Sequence, residues 1–279
     1  VNDRVALAVD VGGTKLAAGL VTSDGVVVDA RSAPTPSTQV YDVLASLVVP
    51  LIPAADVCGV GCGGPMTSGG EAVSPLNIPS WRGFPLRGEL ASLTGLPVFV
   101  DNDAKALARG EGWVGAARGV RDYLAMVVST GVGGGVVLDG RVLDGASGNA
   151  GHIGHVIVEP GGRACACGAA GCLEAEASGT AIAAVTGRPA AEAGAAVVAR
   201  TGRLVGRAVA SVCNLLDLRL AVVAGSVALG FGEPFFAAAQ AELDVSCRLD
   251  FSRGARVIPA GLGADGPLVG AAAVAFSSI

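Results

Sequence analysis

Short apolar runs separated by small-residue turns open the chain. Residues 4–10 (RVALAVD) are apolar and β-branched, as in a buried strand. Gly12-Gly13-Thr14 follows, then a second apolar run from Leu16 to Val21, a Ser23-Asp24-Gly25 turn, and a third run at Val26–Val28. The pattern predicts a β-meander whose first turn is glycine-rich. Residues 39–52 carry helical spacing and stop at Pro53. Residues 57–61 read as a strand, 89–94 as a helix closed by Gly95, 98–100 as a strand, and 103–111 as an alanine-rich helix.

The same order then restarts. Residues 123–128 form a strand, 129–135 (STGVGGG) a turn, 136–138 a strand, and Asp139-Gly140 a tight turn. VALAVDVGGTKLAAGLVTSDG and YLAMVVSTGVGGGVVLDG share one layout of strand, small-residue turn, strand and Asp-Gly turn, which indicates an internal duplication with a cleft between two lobes. Further on, 204–216 is helical, 220–223 a strand, Gly225-Ser226 a turn, 233–245 a helix, and 268–276 an alanine-rich helix. Only 35–39 and 187–192 look like loops. Strands alternate with helices, so the fold class is α/β.

The 279 residues suffice for two lobes. The formal charge of −5, without a basic run, argues against a nucleic-acid partner. Mean hydropathy is high, +0.59, but no apolar run approaches the ~20 residues of a membrane span. Asp3, Arg4 and Asp10 interrupt the first run, so no signal peptide is expected and a cytoplasmic setting is. Thiols stay reduced there, which favours metal binding over disulfides for clustered cysteines.

His155, Cys165, Cys167 and Cys172 offer one imidazole and three thiolates, a closed set suited to structural Zn²⁺. Cys58, Cys62, Cys213 and Cys247 sit in apolar runs and read as small buried hydrophobes. His152 and Glu174 flank the knot, and a metal that fixes the loop would fix both side chains. Asp10-Val-Gly-Gly-Thr-Lys15 places glycine N–H groups where an anion can approach, with the Thr14 hydroxyl, the Lys15 charge and Asp10 as a holder of Mg²⁺ through water. The 129–135 segment offers a second cradle. Neither matches GxxxxGK[ST], which excludes a P-loop NTPase. Asp101-Asn102-Asp103 precedes a helix. One such residue serves as an N-cap, and three in a row suggest further duty, with a carboxylate as proton acceptor and Asn102 holding a neighbouring hydroxyl.

These motifs together resemble the ROK family (repressors, open reading frames, sugar kinases), of the actin-like ATPase fold, over essentially the whole chain. DVGGTK is similar to its first phosphate motif, DNDAKA to its catalytic segment, STGVGGG to its second phosphate motif, AGSVALG to its adenosine motif, and GHIGH…CACGAAGCLE to its zinc signature. The resemblance implies a small lobe of residues 1–101 joined by a C-terminal helix, 264–279, and a large lobe of 102–263 bearing the zinc loop. It implies Asp103 as catalytic base, and Asn77, Asn102, Asp103, His152, His155 and Glu174 at a sugar. It places Asp10, Gly12, Gly13, Thr14, Lys15, Thr130, Gly131, Gly133, Gly134 and Gly225 at ATP and Mg²⁺, with zinc on His155, Cys165, Cys167 and Cys172. Trp81, in PLNIPSW, is either part of the glucokinase-like segment or a core aromatic.

The implied activity is transfer of the γ-phosphoryl group of ATP to a hexose 6-hydroxyl, with polyphosphate left open as a donor and a homodimer or higher homo-oligomer expected. One departure concerns the sugar. Most members carry Glu where this chain has His152, and AGHIGH is similar to some bacterial N-acetylmannosamine kinases. An imidazole can donate and accept, whereas a carboxylate only accepts. Glucose is favoured on PLNIPSW, with N-acetylmannosamine or another N-acylhexosamine as the alternative. A non-catalytic sugar-binding regulator is the reading of a different class. The family's repressors carry an N-terminal helix-turn-helix, which is not expected with the first strand starting about three residues in.

Overall fold

The computed structural model describes residues 4–279; Asp3, cited above, lies outside them with its two neighbours. Ten strands are present among the described residues: β1 (Val5–Val11), β2 (Lys15–Thr22), β3 (Val27–Pro34), β4 (Val57–Cys62), β5 (Val98–Asn102), β6 (Tyr123–Val128), β7 (Val132–Leu138), β8 (Arg141–Val142), β9 (Leu220–Ala224) and β10 (Arg256–Pro259). The α-helices are α1 (Val40–Val48), α2 (Leu86–Thr94), α3 (Asp103–Trp113), α4 (Leu173–Ala177), α5 (Gly179–Thr186), α6 (Ala195–Leu216), α7 (Ser226–Phe231), α8 (Glu233–Ser246) and α9 (Gly266–Phe276).

Two five-stranded sheets form, in the orders β3-β2-β1-β4-β5 and β10-β9-β6-β7-β8. Relabelled from its own first strand, β6, the second has the same order as the first. In each, an antiparallel meander supplies three strands and two parallel strands extend the other side. The duplication seen in the sequence is therefore a duplication of topology. β4 is buried at all six positions, as a strand covered on both faces must be. The Asp139-Gly140 turn has φ of 52° and 75°, the double positive φ that a two-residue hairpin requires.

Several boundaries differ from the sequence expectation. The 39–52 helix is α1 followed by a 3₁₀ segment, Val49–Ala54, because Pro50 and Pro53 lack the N–H groups an α-helix needs. α6 begins at Ala195, nine residues before Leu204; Val198, Thr201 and Gly202 are buried in that extension. The 129–135 turn shrinks to 129–131, since Gly133 and Gly134 pair with Val127 and Met126 inside the sheet. The 187–192 segment opens with Gly187 as the left-handed cap of α5 and ends in a 3₁₀ turn, Ala190–Glu192.

The chain divides into two compact units. The first runs to Gly119 and takes in Asp144–Ala150 and Gly261–Ile279; the second comprises Val120–Leu143 and Gly151–Ala260. The border expected at residue 101 thus falls after α3. The reason is a buried carboxylate: Glu111, on α3, accepts hydrogen bonds from the N–H groups of Ala116, Gly261 and Leu262 at 2.7, 3.0 and 3.1 Å. These bonds hold α3 to the segment leading into α9. Each unit has its own apolar core, one around Leu7, Val60 and Leu90, the other around Leu124, Val209 and Phe235. No helix among the described residues is long and apolar enough to cross a membrane.

Candidate functional site

In the first unit the β1–β2 turn, β4, β5 and α3 bring the chemistry-bearing residues together. Asp10 lies on β1 opposite Gly61 of β4, and Asp103 opens α3. A Cβ on Gly61 would stand 3.9 Å from Asp10 Oδ1 and 3.6 Å from Asp103 Cα, so both carboxylates border one glycine-lined patch. Burial, and secondarily the Asp103 charge, push the Asp10 carboxyl up to about 7, against a pull downward from Lys15. Two carboxylates in one place with a raised pKa invite a cation, and a carboxylate oxygen is the donor that Mg²⁺ selects. The residues fit that ion, and Asp10 would hold it.

The sign of this shift gives a prediction. Between pH 3.8, the ordinary value, and about 7, the folded chain holds a proton on Asp10 that the unfolded chain has lost. The fold therefore loses stability as pH rises through that window, and the full cost persists above it. Asp10→Asn should raise the Tm of the metal-free protein, with a gain that grows across the window and is flat above pH 7. Added Mg²⁺ should raise the wild-type Tm at pH 8 and leave that of the variant unchanged. Thermal melts across a pH series check both.

The three residues 101–103 divide their labour. Asp101 accepts from the Asn102 N–H at 2.8 Å and pairs with Arg109 at 3.1 Å. Asn102 is the N-cap of α3, its Oδ1 accepting from Ala104 N–H at 3.0 Å. Asp103 Oδ1 accepts from the same N–H at 2.8 Å, and Asp103 is exposed. Only Asp103 therefore presents its carboxylate outward from a fixed backbone.

Gly12 N–H donates to the Lys15 carbonyl at 3.0 Å, which closes the first turn, and Thr35 ties it from the side by donating its hydroxyl to the Gly12 carbonyl at 2.7 Å. A Cβ on Gly13 would collide with the Asn77 side chain. Asn77, Gly13 and the DVGGTK turn thus form one surface. Thr14 and Lys15 are exposed on it. Trp81 is buried and stacks on Phe84 with ring centroids 4.3 Å apart, so it is a core aromatic.

In the second unit, the turn at Ser129-Thr130-Gly131 is fastened by bonds to Gly179, Thr180 and Ser226. Gly179 N–H donates to the Ser129 carbonyl at 2.7 Å, Thr180 Oγ1 donates to the Thr130 carbonyl at 2.9 Å, and the Ser129 and Ser226 hydroxyls lie 2.9 Å apart. Glu174 Oε2 accepts from Val132 N–H at 3.0 Å and fills the space a Gly131 side chain would need. Glu174, expected at the sugar, is thereby joined to the second glycine turn. Gly134 leaves room for Ile153 and the Gly151 carbonyl, and Gly225, at φ 101°, for the Val128 backbone.

His155, Cys165, Cys167 and Cys172 converge, with all four ligand atoms within 4.8 Å of one another. His155 Nδ1 lies 3.6 Å from Cys165 Sγ, and Cys167 Sγ lies 3.7 Å from Cys172 Sγ. Tetrahedral Zn²⁺ with its usual bond lengths requires edges of about 3.6 Å for N···S and about 3.8 Å for S···S. The donor set and its spacing fit the ion. His152 is outside this cluster; its ring lies parallel to that of His155 with centroids 6.2 Å apart.

One brace of the knot went unread in the sequence. Glu176 is buried on α4 and accepts from Arg163 N–H and Nη1 at 2.6 and 2.7 Å and from Arg200 Nη2 at 2.6 Å. Burial alone would raise its pKa; the bonds and charges of Arg163 and Arg200 outweigh burial and lower it. Lys105 also went unread: it is buried on α3 with its ammonium on Asp144. An isolated Glu or Lys in a helix has no sequence signal of burial, since its partners are distant in the chain.

Residues 6–277 match the model of the ROK family. An N-acetylmannosamine kinase of Citrobacter koseri is 41% identical over 246 residues, which cover 81% of this chain and 84% of that protein. The solved ROK hexokinase of Thermus thermophilus superposes with a TM-score of 0.84 at 34% identity, covering 98% of both chains. A ROK glucokinase of Streptomyces griseus, solved with glucose and AMPPNP, gives 0.84 at 28% identity, covering 98% of this chain and 99% of that one. The fold is that of the actin-like ATPases. The chain belongs to the ROK family and is one of its sugar kinases, a phosphotransferase.

Proposed function

We propose that this chain transfers the γ-phosphoryl group of ATP to the 6-hydroxyl of an N-acylhexosamine, N-acetylmannosamine first. The observation that carries the substrate is the pairing of His152 with relatives of that name: those compared are 38–45% identical, above the 34% and 28% of the hexokinase and glucokinase structures. This reverses the order the sequence alone favoured. PLNIPSW had weighed towards glucose, but its Trp81 is core, which leaves Asn77 as the one residue of that segment placed beside a phosphate-motif glycine. Asn77 keeps glucose as the second reading.

In this reading Asp103 takes the proton of the attacking hydroxyl, its other oxygen steadied by the Ala104 N–H. Asn102, committed through Oδ1 to the helix cap, has its amide group left to donate to a sugar hydroxyl. His152 and Glu174 recognise the sugar, and His155 serves both sugar and zinc. Gly12, Gly13, Thr14, Lys15, Thr130 and Gly131 address the phosphates, while Gly133 and Gly134, paired inside the sheet, shape the strand behind the turn; Gly225 addresses the adenosine, and Asp10 orients Mg²⁺. Mg²⁺ supplies charge neutralisation on the phosphates, and little covalent chemistry falls to the protein. Zn²⁺ on His155, Cys165, Cys167 and Cys172 is structural.

A coupled assay of ATP turnover over N-acetylmannosamine, N-acetylglucosamine, mannose and glucose tests the reading. The expected order puts N-acetylmannosamine at least about tenfold above glucose in kcat/KM. Glucose ahead of both N-acetyl sugars would overturn it in favour of the second reading. Turnover on none of the four would remove the substrate assignment altogether.

A further inference from the structure

The segment Asp144–Ala150 has no regular secondary structure, yet it is tied to the first unit at three points. Lys105 Nζ donates to Asp144 Oδ1 at 2.6 Å and to the Gly148 carbonyl at 2.9 Å. Asn149 donates through Nδ2 to the Met66 carbonyl at 3.3 Å. The Ala150 N–H closes the segment on itself by donating to the Asp144 carbonyl at 3.0 Å. Lys105 is 1% exposed, while Asp144 is 67% exposed. A lysine this buried is uncommon and must be fully paired. It stands on α3, two residues after Asp103, and the segment it holds leads within two residues to His152.

We propose that Lys105 is a positioning residue for sugar recognition: its ammonium pins the Asp144–Ala150 strap to the helix that carries Asp103, and so fixes the point from which the His152 loop departs. The proposal rests on the kinase reading above and adds to it a residue that touches neither substrate. A strap without secondary structure has many conformations, and two hydrogen bonds from one buried cation select one of them. The cost of ordering the strap is then met on folding and not on sugar binding.

The ion pair is separable from stability. In Lys105→Met, Asp101 keeps Arg109 and the Asn102 N–H, and Asp144 turns to water, so no buried charge is stranded. Replacing a buried ion by an apolar chain of similar size is commonly tolerated on these terms. Asp144→Ala removes the tie from the exposed end and is the second variant should Lys105→Met fail to fold.

Both variants should raise the KM for the sugar about tenfold and leave kcat and the KM for ATP within about twofold. Amide exchange of residues 144–150 should speed up by about tenfold in the same proteins, with α3 unchanged. Unchanged exchange in the strap would overturn the tether. Faster exchange with an unchanged sugar KM would overturn its role in recognition. Absence of turnover on every sugar in the wild type would sink the kinase reading instead, and the exchange rates alone would then decide the tether.

Discussion

Asp103→Ala is expected to lower kcat by roughly 10²–10⁴-fold, the usual contribution of a positioned proton acceptor. Binding of the sugar, followed by calorimetry, should survive within a few fold. The structure explains why the fold tolerates the change. Ala104 N–H, which Asp103 and Asn102 share, keeps Asn102 Oδ1 at 3.0 Å, so α3 retains its cap. A second readout follows from the electrostatics. Burial is the larger cause that raises Asp10 and the Asp103 charge the second, so removing Asp103 should move the Asp10 carboxyl part of the way back towards the ordinary range. Near-normal turnover in the variant would remove the base assignment, whatever the sugar.

Removal of the zinc proposed for the cysteine–histidine knot is the other large effect expected. Apart from the ligand cluster, the loop from His155 to Cys172 is held by single bridges between Ile157 and Cys172 and between Ala164 and Ala170, by Arg163 on Glu176 and by Arg207 Nη1 on the Val158 carbonyl, and it has no strand or α-helix of its own. Cys172 is the residue before α4, which carries Glu174 and Glu176. Chelation, or Cys172→Ser, should therefore free the start of that helix, lower Tm and abolish turnover together. Structural zinc contributes on the order of 10 kcal/mol in small domains, although the larger core of the second unit makes the loss of global stability smaller. Metal analysis should find one zinc per chain, and Zn²⁺ should restore the chelated wild type but not the variant. Purified protein that is metal-free and fully active would contradict this account.

The legibility of the chain was uneven for physical reasons. The β-meanders, the Asp139-Gly140 turn and the clustering of His155, Cys165, Cys167 and Cys172 were readable because turn chemistry and close cysteine spacing act locally along the chain. Helix boundaries were less readable: the first turns of α6 depend on what buries Val198 and Thr201. The second glycine turn is shorter than its run of glycines suggests, because a glycine inside a strand and one inside a turn look alike until the strand has a partner. Gly133 and Gly134 became strand residues once β6 paired with them.

Sequence by itself determined the α/β class, the repeated unit, the grouping of His155 with Cys165, Cys167 and Cys172, and the identity of Asp10 and Asp103 as carboxylates at strand and helix ends. These are local properties, set by periodicity, turn chemistry and ligand spacing. Tertiary structure alone decided that Asp101 is spent on Arg109 and Lys105 while Asp103 stays exposed, that Trp81 is core, that Glu111 draws α3 to the C-terminal segment, and that Glu176 and Lys105 are buried and paired. Each of these depends on a partner distant in sequence or on burial by other elements, and the charge or hydrogen bond that makes the difference exists only after the chain has folded.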